Sequence, residues 1–240
     1  MTDLLANQPT NLRDALRRAA VDFPDRGVAI FDGRGRNVER RSYAELFHLA
    51  TDAAARFAAL GGEANQPVLV AQPTSWEWME SWFGLLMLGA WPVASSGAGA
   101  MAAAEAQLGK VEKVMEAIGA RFVVASDQFQ QQAGKLGYAF ADEGVITLER
   151  LRATTPRPST SSATSDAGDV AFLQLTSGST GLPRAVMISH GGAIHNPLAS
   201  CEAIGAPHGE PAHHWAESMV SWLPLYHDMG LIGCLMLPML

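Results

Sequence analysis

Cysteine is nearly absent: Cys201 and Cys234 are the only two in 240 residues. Two thiols cannot build the disulfide framework of a small secreted scaffold, and no CxxC pair points to zinc. A basic excess is missing as well. Seventeen Lys and Arg stand against 24 Asp and Glu, a net charge of −7, and no basic stripe marks a nucleic-acid binder. The opening residues Met1-Thr2-Asp3-Leu4 carry neither the basic n-region nor the apolar h-region of a secretory signal, so a reducing cytoplasm is the expected location. Long apolar runs are scarce. Residues 81–104 are uncharged over the length of a bilayer span. However, Gly84, Gly89, Pro92, Ser95, Ser96, Gly97 and Gly99 interrupt them, and no membrane span is expected. What is abundant is apolar material: 48% of residues against 17% charged. That balance supports a sizeable core, and the length allows one domain or two.

Helical and strand-like patterns alternate. Residues 11–21 read as a short helix capped by Asn11. Val28-Ala29-Ile30-Phe31 reads as a strand closed by a turn at Asp32-Gly33. Ser42 and Glu45 have capping-box spacing ahead of a helix that Gly61-Gly62 stops. Val68-Leu69-Val70-Ala71 is the kind of apolar run found in buried parallel strands. Thr74 and Glu77 repeat the capping-box spacing before a helix over residues 76–88, whose Trp76, Trp78 and Trp82 read as core. A strand at Val93-Ala94, an alanine-rich helix over 102–118, and strands at 122–125 and 145–148 follow. This rhythm predicts an α/β fold of right-handed βαβ units, a parallel sheet with helices on its faces. Residues 154–168 (TTPRPSTSSATSDAG) have almost nothing to bury and read as a mobile linker or loop. The expected division is therefore 1–153 as an amino-terminal α/β part, 154–168 as linker, and 169–240 as the start of a second part.

The chemistry is concentrated after that linker. A strand candidate, Val170-Ala171-Phe172-Leu173-Gln174-Leu175, runs into Thr176-Ser177-Gly178-Ser179-Thr180-Gly181-Leu182-Pro183-Arg184. Glycines let backbone N–H groups turn toward an anion, hydroxyls add donors, and Arg184 adds a charge that can fork onto phosphate oxygens. The segment fits neither the P-loop pattern nor GxGxxG. Since Ala185-Val186-Met187-Ile188 is again strand-like, the expected arrangement is strand, phosphate loop, strand.

LTSGSTGLPRAVMISH resembles the phosphate-loop signature of the adenylate-forming superfamily, and WLPLYHDMGLIG (residues 222–233) resembles its fatty acyl-AMP ligase branch. The resemblance implies the amino-terminal portion of that enzyme's large domain. It implies ATP-dependent activation of a fatty or other carboxylic acid to an acyl-adenylate, followed by transfer to the phosphopantetheine thiol of an acyl carrier protein. An acyl-CoA synthetase and a non-catalytic nucleotide- or acyl-binding scaffold are the alternatives. By the same resemblance Thr176, Ser177, Gly178, Ser179, Thr180, Gly181 and Arg184 bind the phosphates of ATP, and Thr176 or Thr180 places Mg2+. His227 is the candidate catalytic residue at the mouth of an acyl channel, with Tyr226, Met229, Gly230 and Leu231 as substrate contacts. The family's loop usually ends Pro-Lys-Gly; here it reads Pro183-Arg184-Ala185. The adenine, ribose and magnesium carboxylate residues and the catalytic lysine of the resembled enzymes have no counterpart here, so a carboxy-terminal half is expected as a partner. The alternative for His227 is that it caps the following helix or satisfies Asp228. Asp228 reads as a helix cap, and the buried-helix reading of residues 229–236 stays open beside the acyl-channel one. His208, His213, His214 and Glu217 lack ligand spacing, and no metal site is expected of them.

Overall fold

A computed structural model describes residues 8–96, 104–157, 165–176, 184–203 and 218–240. It contains two compact units interleaved along the chain. One comprises Met1–Phe47, Thr164–Asp169 and Ile188–Leu240; the other comprises His48–Ala163 and Val170–Met187.

The second unit is built on a six-stranded sheet in the order β6-β5-β3-β4-β7-β8. Its strands are β3 (Pro67–Val70), β4 (Trp91–Ala94), β5 (Phe122–Val124), β6 (Val145–Ile146), β7 (Val170–Thr176) and β8 (Arg184–Ser189). The pairs β3–β4, β3–β5, β4–β7 and β5–β6 are parallel, as the continuous apolar runs predict. One face carries Leu69, Val93, Val123 and Leu173. These pack with Leu108, Val111 and Val114 of α4 (Ala104–Ile118) and Phe129 of α5 (Asp127–Lys135). On the other face, Trp82 of α3 (Trp76–Leu88) meets the Phe172 ring edge-on at 5.5 Å and stacks on Trp78 at 5.8 Å. All three tryptophans of α3 are buried, so they belong to the core as expected. Gly84 brings α3 close to α2 (Tyr43–Ala59): a Cβ there would lie 2.7 Å from the Ala53 Cβ.

The local signals resolve unevenly. Asn11 caps α1 (Leu12–Asp22) through Asp14 N at 2.9 Å. The Ser42–Glu45 box closes in both directions, Ser42 N to Glu45 Oε2 at 2.7 Å and Glu45 N to Ser42 Oγ at 3.1 Å. The cap of α3 is one residue later than the Thr74–Glu77 spacing predicts: Ser75 Oγ accepts from Trp78 N. Strand β6 is also shorter than expected, because Thr147 leaves it to cap α6 (Leu148–Ala153). In the first unit, β1 (Gly27–Phe31) and β2 (Asn37–Ser42) form an antiparallel hairpin, an exception to the expected parallel pairing. Helix α7 (His190–Ala203) follows β8 directly. A π-helix (Met229–Met236) and the short α8 (Leu237–Met239) complete this unit.

The described start of the Ser/Thr/Pro-rich segment is tied down. Arg56 Nη1 donates to Arg152 O at 2.6 Å and Thr154 O at 2.5 Å, satisfying carbonyls at the end of α6, and Arg157 N donates to Ala55 O at 3.0 Å. Residues 158–164 of that segment lie outside the described residues. Among the described residues no helix is long and apolar enough to cross a membrane.

Candidate functional site

Strands β7 and β8 are neighbours in the sheet, and they hold the two ends of the glycine- and hydroxyl-rich loop together. Thr176 closes β7, and its Oγ1 donates to Arg184 O at the start of β8, 3.3 Å away. The structure therefore brings together two of the residues expected to bind phosphate. Ser177, Gly178, Ser179, Thr180 and Gly181 lie outside the described residues. The Arg184 side chain is exposed and meets no carboxylate among the described residues, so its charge is available to an anion. Ala185, where the resembled family has glycine, lies in regular β8 and packs on the core. Asn65 is the only described non-glycine residue with φ in the left-handed region, at 60°. The backbone at Ala185 thus does not use the freedom that glycine supplies.

The second motif forms a compact turn within its own unit. His227 N donates to Pro224 O at 3.1 Å, and Leu231 N donates to His227 O at 2.9 Å. Asp228 caps the π-helix as expected, accepting from Met229 N at 2.7 Å; His227 Nδ1 stands 3.3 Å from the same N–H. His227 Nδ1 and Asp228 Oδ1 are 2.6 Å apart. Asp228 thus sits beside the His227 ring and fixes its position at the start of the π-helix.

The remaining residues of the motif differ from one another. Tyr226 is half-buried, Met229 is exposed and Leu231 is fully buried. Gly230 is buried for a backbone reason: a Cβ there would lie 2.2 Å from Pro224 O. The turn can pack its own chain this tightly only with glycine at that position. The π-helical winding is itself a form that recurs at functional sites.

His190 went unremarked at the sequence level. It begins α7 and is buried, and its Nδ1 accepts the Leu12 N–H of α1 at 3.2 Å. Burial, reinforced by the Arg13 guanidinium, lowers its pKa to about 4. The neighbourhood is knitted by His190 N to Asp169 O (2.9 Å), Gly191 N to Ala167 O (2.7 Å), Asn11 Nδ2 to Ser165 O (3.0 Å) and a contact from Arg13 to Ser165 Oγ. A histidine closing an apolar strand ahead of Gly191-Gly192 was the signal available. Its partner, 178 positions away, was not legible. Among the described residues no group of three or more His, Cys, Asp and Glu could hold a metal ion.

Comparison with known proteins places this geometry in a lineage. The chain is 42% identical over 101 residues to a long-chain-fatty-acid–AMP ligase of Mycobacterium marinum, covering 40% of this chain and 17% of that protein. It is 39% identical over 71 residues to a medium-chain-fatty-acid–[acyl-carrier-protein] ligase of Teredinibacter turnerae, covering 30% of this chain and 10% of that one. A Legionella pneumophila fatty acyl-adenylate ligase, solved in complex with acyl adenylate and pyrophosphate, superposes with a TM-score of 0.77 at 26% identity. That match covers all of this chain and 39% of that one. The chain spans 37% or less of the length of the curated relatives it matches. The profile of the AMP-binding enzyme family matches residues 16–240, and the chain belongs to that family.

Proposed function

We propose that the chain supplies the phosphate-loop part of a fatty acyl-AMP ligase that activates a fatty or other carboxylic acid with ATP and passes it to an acyl carrier protein. The observation that carries this reading is the superposition of the whole chain on the Legionella ligase. The Teredinibacter relative supports the carrier protein as acceptor.

In the proposed reaction a substrate carboxylate oxygen attacks the α-phosphorus of ATP. A P–O bond forms, the bond to the leaving oxygen breaks, and pyrophosphate departs. Such a step depends on positioning and on neutralising charge. Arg184, whose guanidinium meets no carboxylate among the described residues, suits the β- and γ-phosphate oxygens, together with the hydroxyls and amides of the 176–181 loop. Mg2+ bound with the nucleotide would neutralise further phosphate charge, and Thr176 and Thr180 are its proposed protein contacts. The Thr176–Arg184 hydrogen bond holds the loop's ends at one spacing. His227, oriented by Asp228, and Tyr226, Met229, Gly230 and Leu231 are proposed to border the acyl group. The 169–240 part is proposed to work with residues that correspond to the rest of the relatives' length.

The test uses a complete protein containing these residues. Fatty-acid-dependent exchange of labelled pyrophosphate into ATP is expected, and Arg184→Ala should raise the ATP Kd about 5- to 150-fold, the equivalent of one to three kcal/mol. Absence of exchange overturns the reading. Discharge of the adenylate by CoA rather than by the holo-carrier protein replaces the acceptor.

A further inference from the structure

Whole-chain charge conceals a local reversal. Residues 11–42 hold eight of the 17 basic residues, all arginine, and five of the 24 acidic ones, a local net of +3 within a chain of −7. These residues form α1 and the β1–β2 hairpin, both in one compact unit. Some of the charge is spent internally. Asp14 pairs with Arg17 and Arg18, Asp32 with Arg36, and Glu39 with Arg41. Three arginines keep theirs. The Arg34 guanidinium has no partner among the described residues. Arg40 donates only to the backbone carbonyl of Asp25, at 3.2 Å. Arg26 lies over the Phe23 ring, 4.9 Å from its centre.

Beside them the hairpin exposes apolar surface. Phe31 is 56% exposed and Val38 is 64% exposed. Val38 sits at the register shift where Ile30 pairs with Glu39 but Phe31 pairs with Asn37. The hairpin tip is rigidly built. Asp32 Oδ1 accepts from the N–H groups of Arg34 (2.9 Å) and Arg36 (3.0 Å), Asp32 N donates to Arg36 O at 2.9 Å, and Gly35 takes φ 74°. These bonds, that of the Arg36 N–H first, hold the Asp32 carboxyl below the usual carboxylate range.

We propose that the β1–β2 hairpin is a docking surface for an acidic protein partner, namely the carrier protein that accepts the acyl group. The proposal rests on the ligase reading above. Charge complementarity argues for the partner's sign. Arginine and an aromatic side chain presented on a preordered scaffold are the residue types that dominate protein interfaces, with little ordering cost on binding. A protein is favoured over an anionic membrane because carboxylates are interleaved with the arginines, a mixed pattern that a polybasic membrane-binding segment lacks.

The experiment uses the complete ligase and its Arg34→Glu/Arg40→Glu double variant. The probe is a holo-acyl carrier protein of net negative charge, with free pantetheine as a small acceptor that lacks a protein surface. The expected result is a tenfold or larger rise in KM for the carrier protein at low salt, shrinking as salt is added. Transfer to pantetheine and fatty-acid-dependent pyrophosphate exchange should be unchanged. An unchanged carrier KM with exchange intact overturns the docking surface and leaves the ligase reading standing. Loss of phosphatidylglycerol-vesicle binding in the variant, with an unchanged carrier KM, assigns the hairpin to a membrane and overturns the proposal. Absence of exchange in the unaltered protein overturns both readings.

Discussion

His190 shows how much one side chain can do away from the proposed chemistry. Its Nδ1 accepts from the first turn of α1, a donor that no backbone carbonyl of that helix can reach. Burial is the larger cause of its lowered pKa and the Arg13 charge the second. The ring is therefore neutral in the folded chain at pH values where an unfolded histidine binds a proton. Between the unfolded value near 6.5 and the folded value of about 4, the unfolded state holds more protons, so stability falls as pH falls. The contribution is fully present above about pH 6.5 and is lost toward pH 4; it is on the order of 3 kcal/mol. His190→Gln keeps an acceptor for Leu12 N but does not titrate. Urea midpoints measured between pH 7.5 and 4 should drop less steeply for the variant; parallel curves would contradict the assignment. The phosphate loop and the 222–233 motif are legible in the sequence because their residue types announce their chemistry. A histidine whose only distinction is a partner on another helix carries no such mark. The arginines of the hairpin were missed for a related reason: the chain's overall negative charge masks them.

Elements with a complete local signal formed where the sequence placed them. The Ser42–Glu45 box carries both halves of its hydrogen-bond pair in four residues, and the apolar runs of β3, β5 and β7 need no partner to be recognised as buried strands. Short elements were less legible. Strand β6 keeps two residues, and α5 and α6 have nine and six, too few turns for periodicity to stand out. The choice between Ser75 and Thr74 as cap depends on one residue of backbone geometry that both sequences of spacing allow. Close helix packing is also invisible in one dimension. Gly84 reads as an interruption, yet it is where α2 and α3 approach. Gly84→Ala should cost roughly 1–3 kcal/mol, because the new methyl would sit 2.7 Å from the Ala53 Cβ and 3.3 Å from the Phe57 ring. Gly109→Ala in α4 meets only the Tyr138 hydroxyl at 3.5 Å and should be neutral or stabilising by up to about 1 kcal/mol. Chemical denaturation of both variants checks the contrast, and equal stabilities would refute the packing argument.

For the molecule as a whole, family and architecture were readable from two motifs and a strand–helix rhythm, while the interleaving of its two units was not. The relatives are more than twice as long. The 240 residues on their own are expected to show no fatty-acid-dependent pyrophosphate exchange above background, since each absent charge-stabilising contact costs a few kcal/mol in the transition state. Robust exchange by the purified chain would show that its own residues suffice. Strand order carries a further consequence, for assembly rather than catalysis. Strands β3 to β6 can register among themselves once residue 146 has been made, but β4 then forms the sheet's edge. Val93 acquires its partner across that edge only with Leu173. Such a non-local pairing is slow to form, and an open apolar edge is a template for a wrong neighbour while it waits. A nascent chain passes through that interval each time it is synthesised, which makes the arrival of β7 the step at which folding and self-association compete.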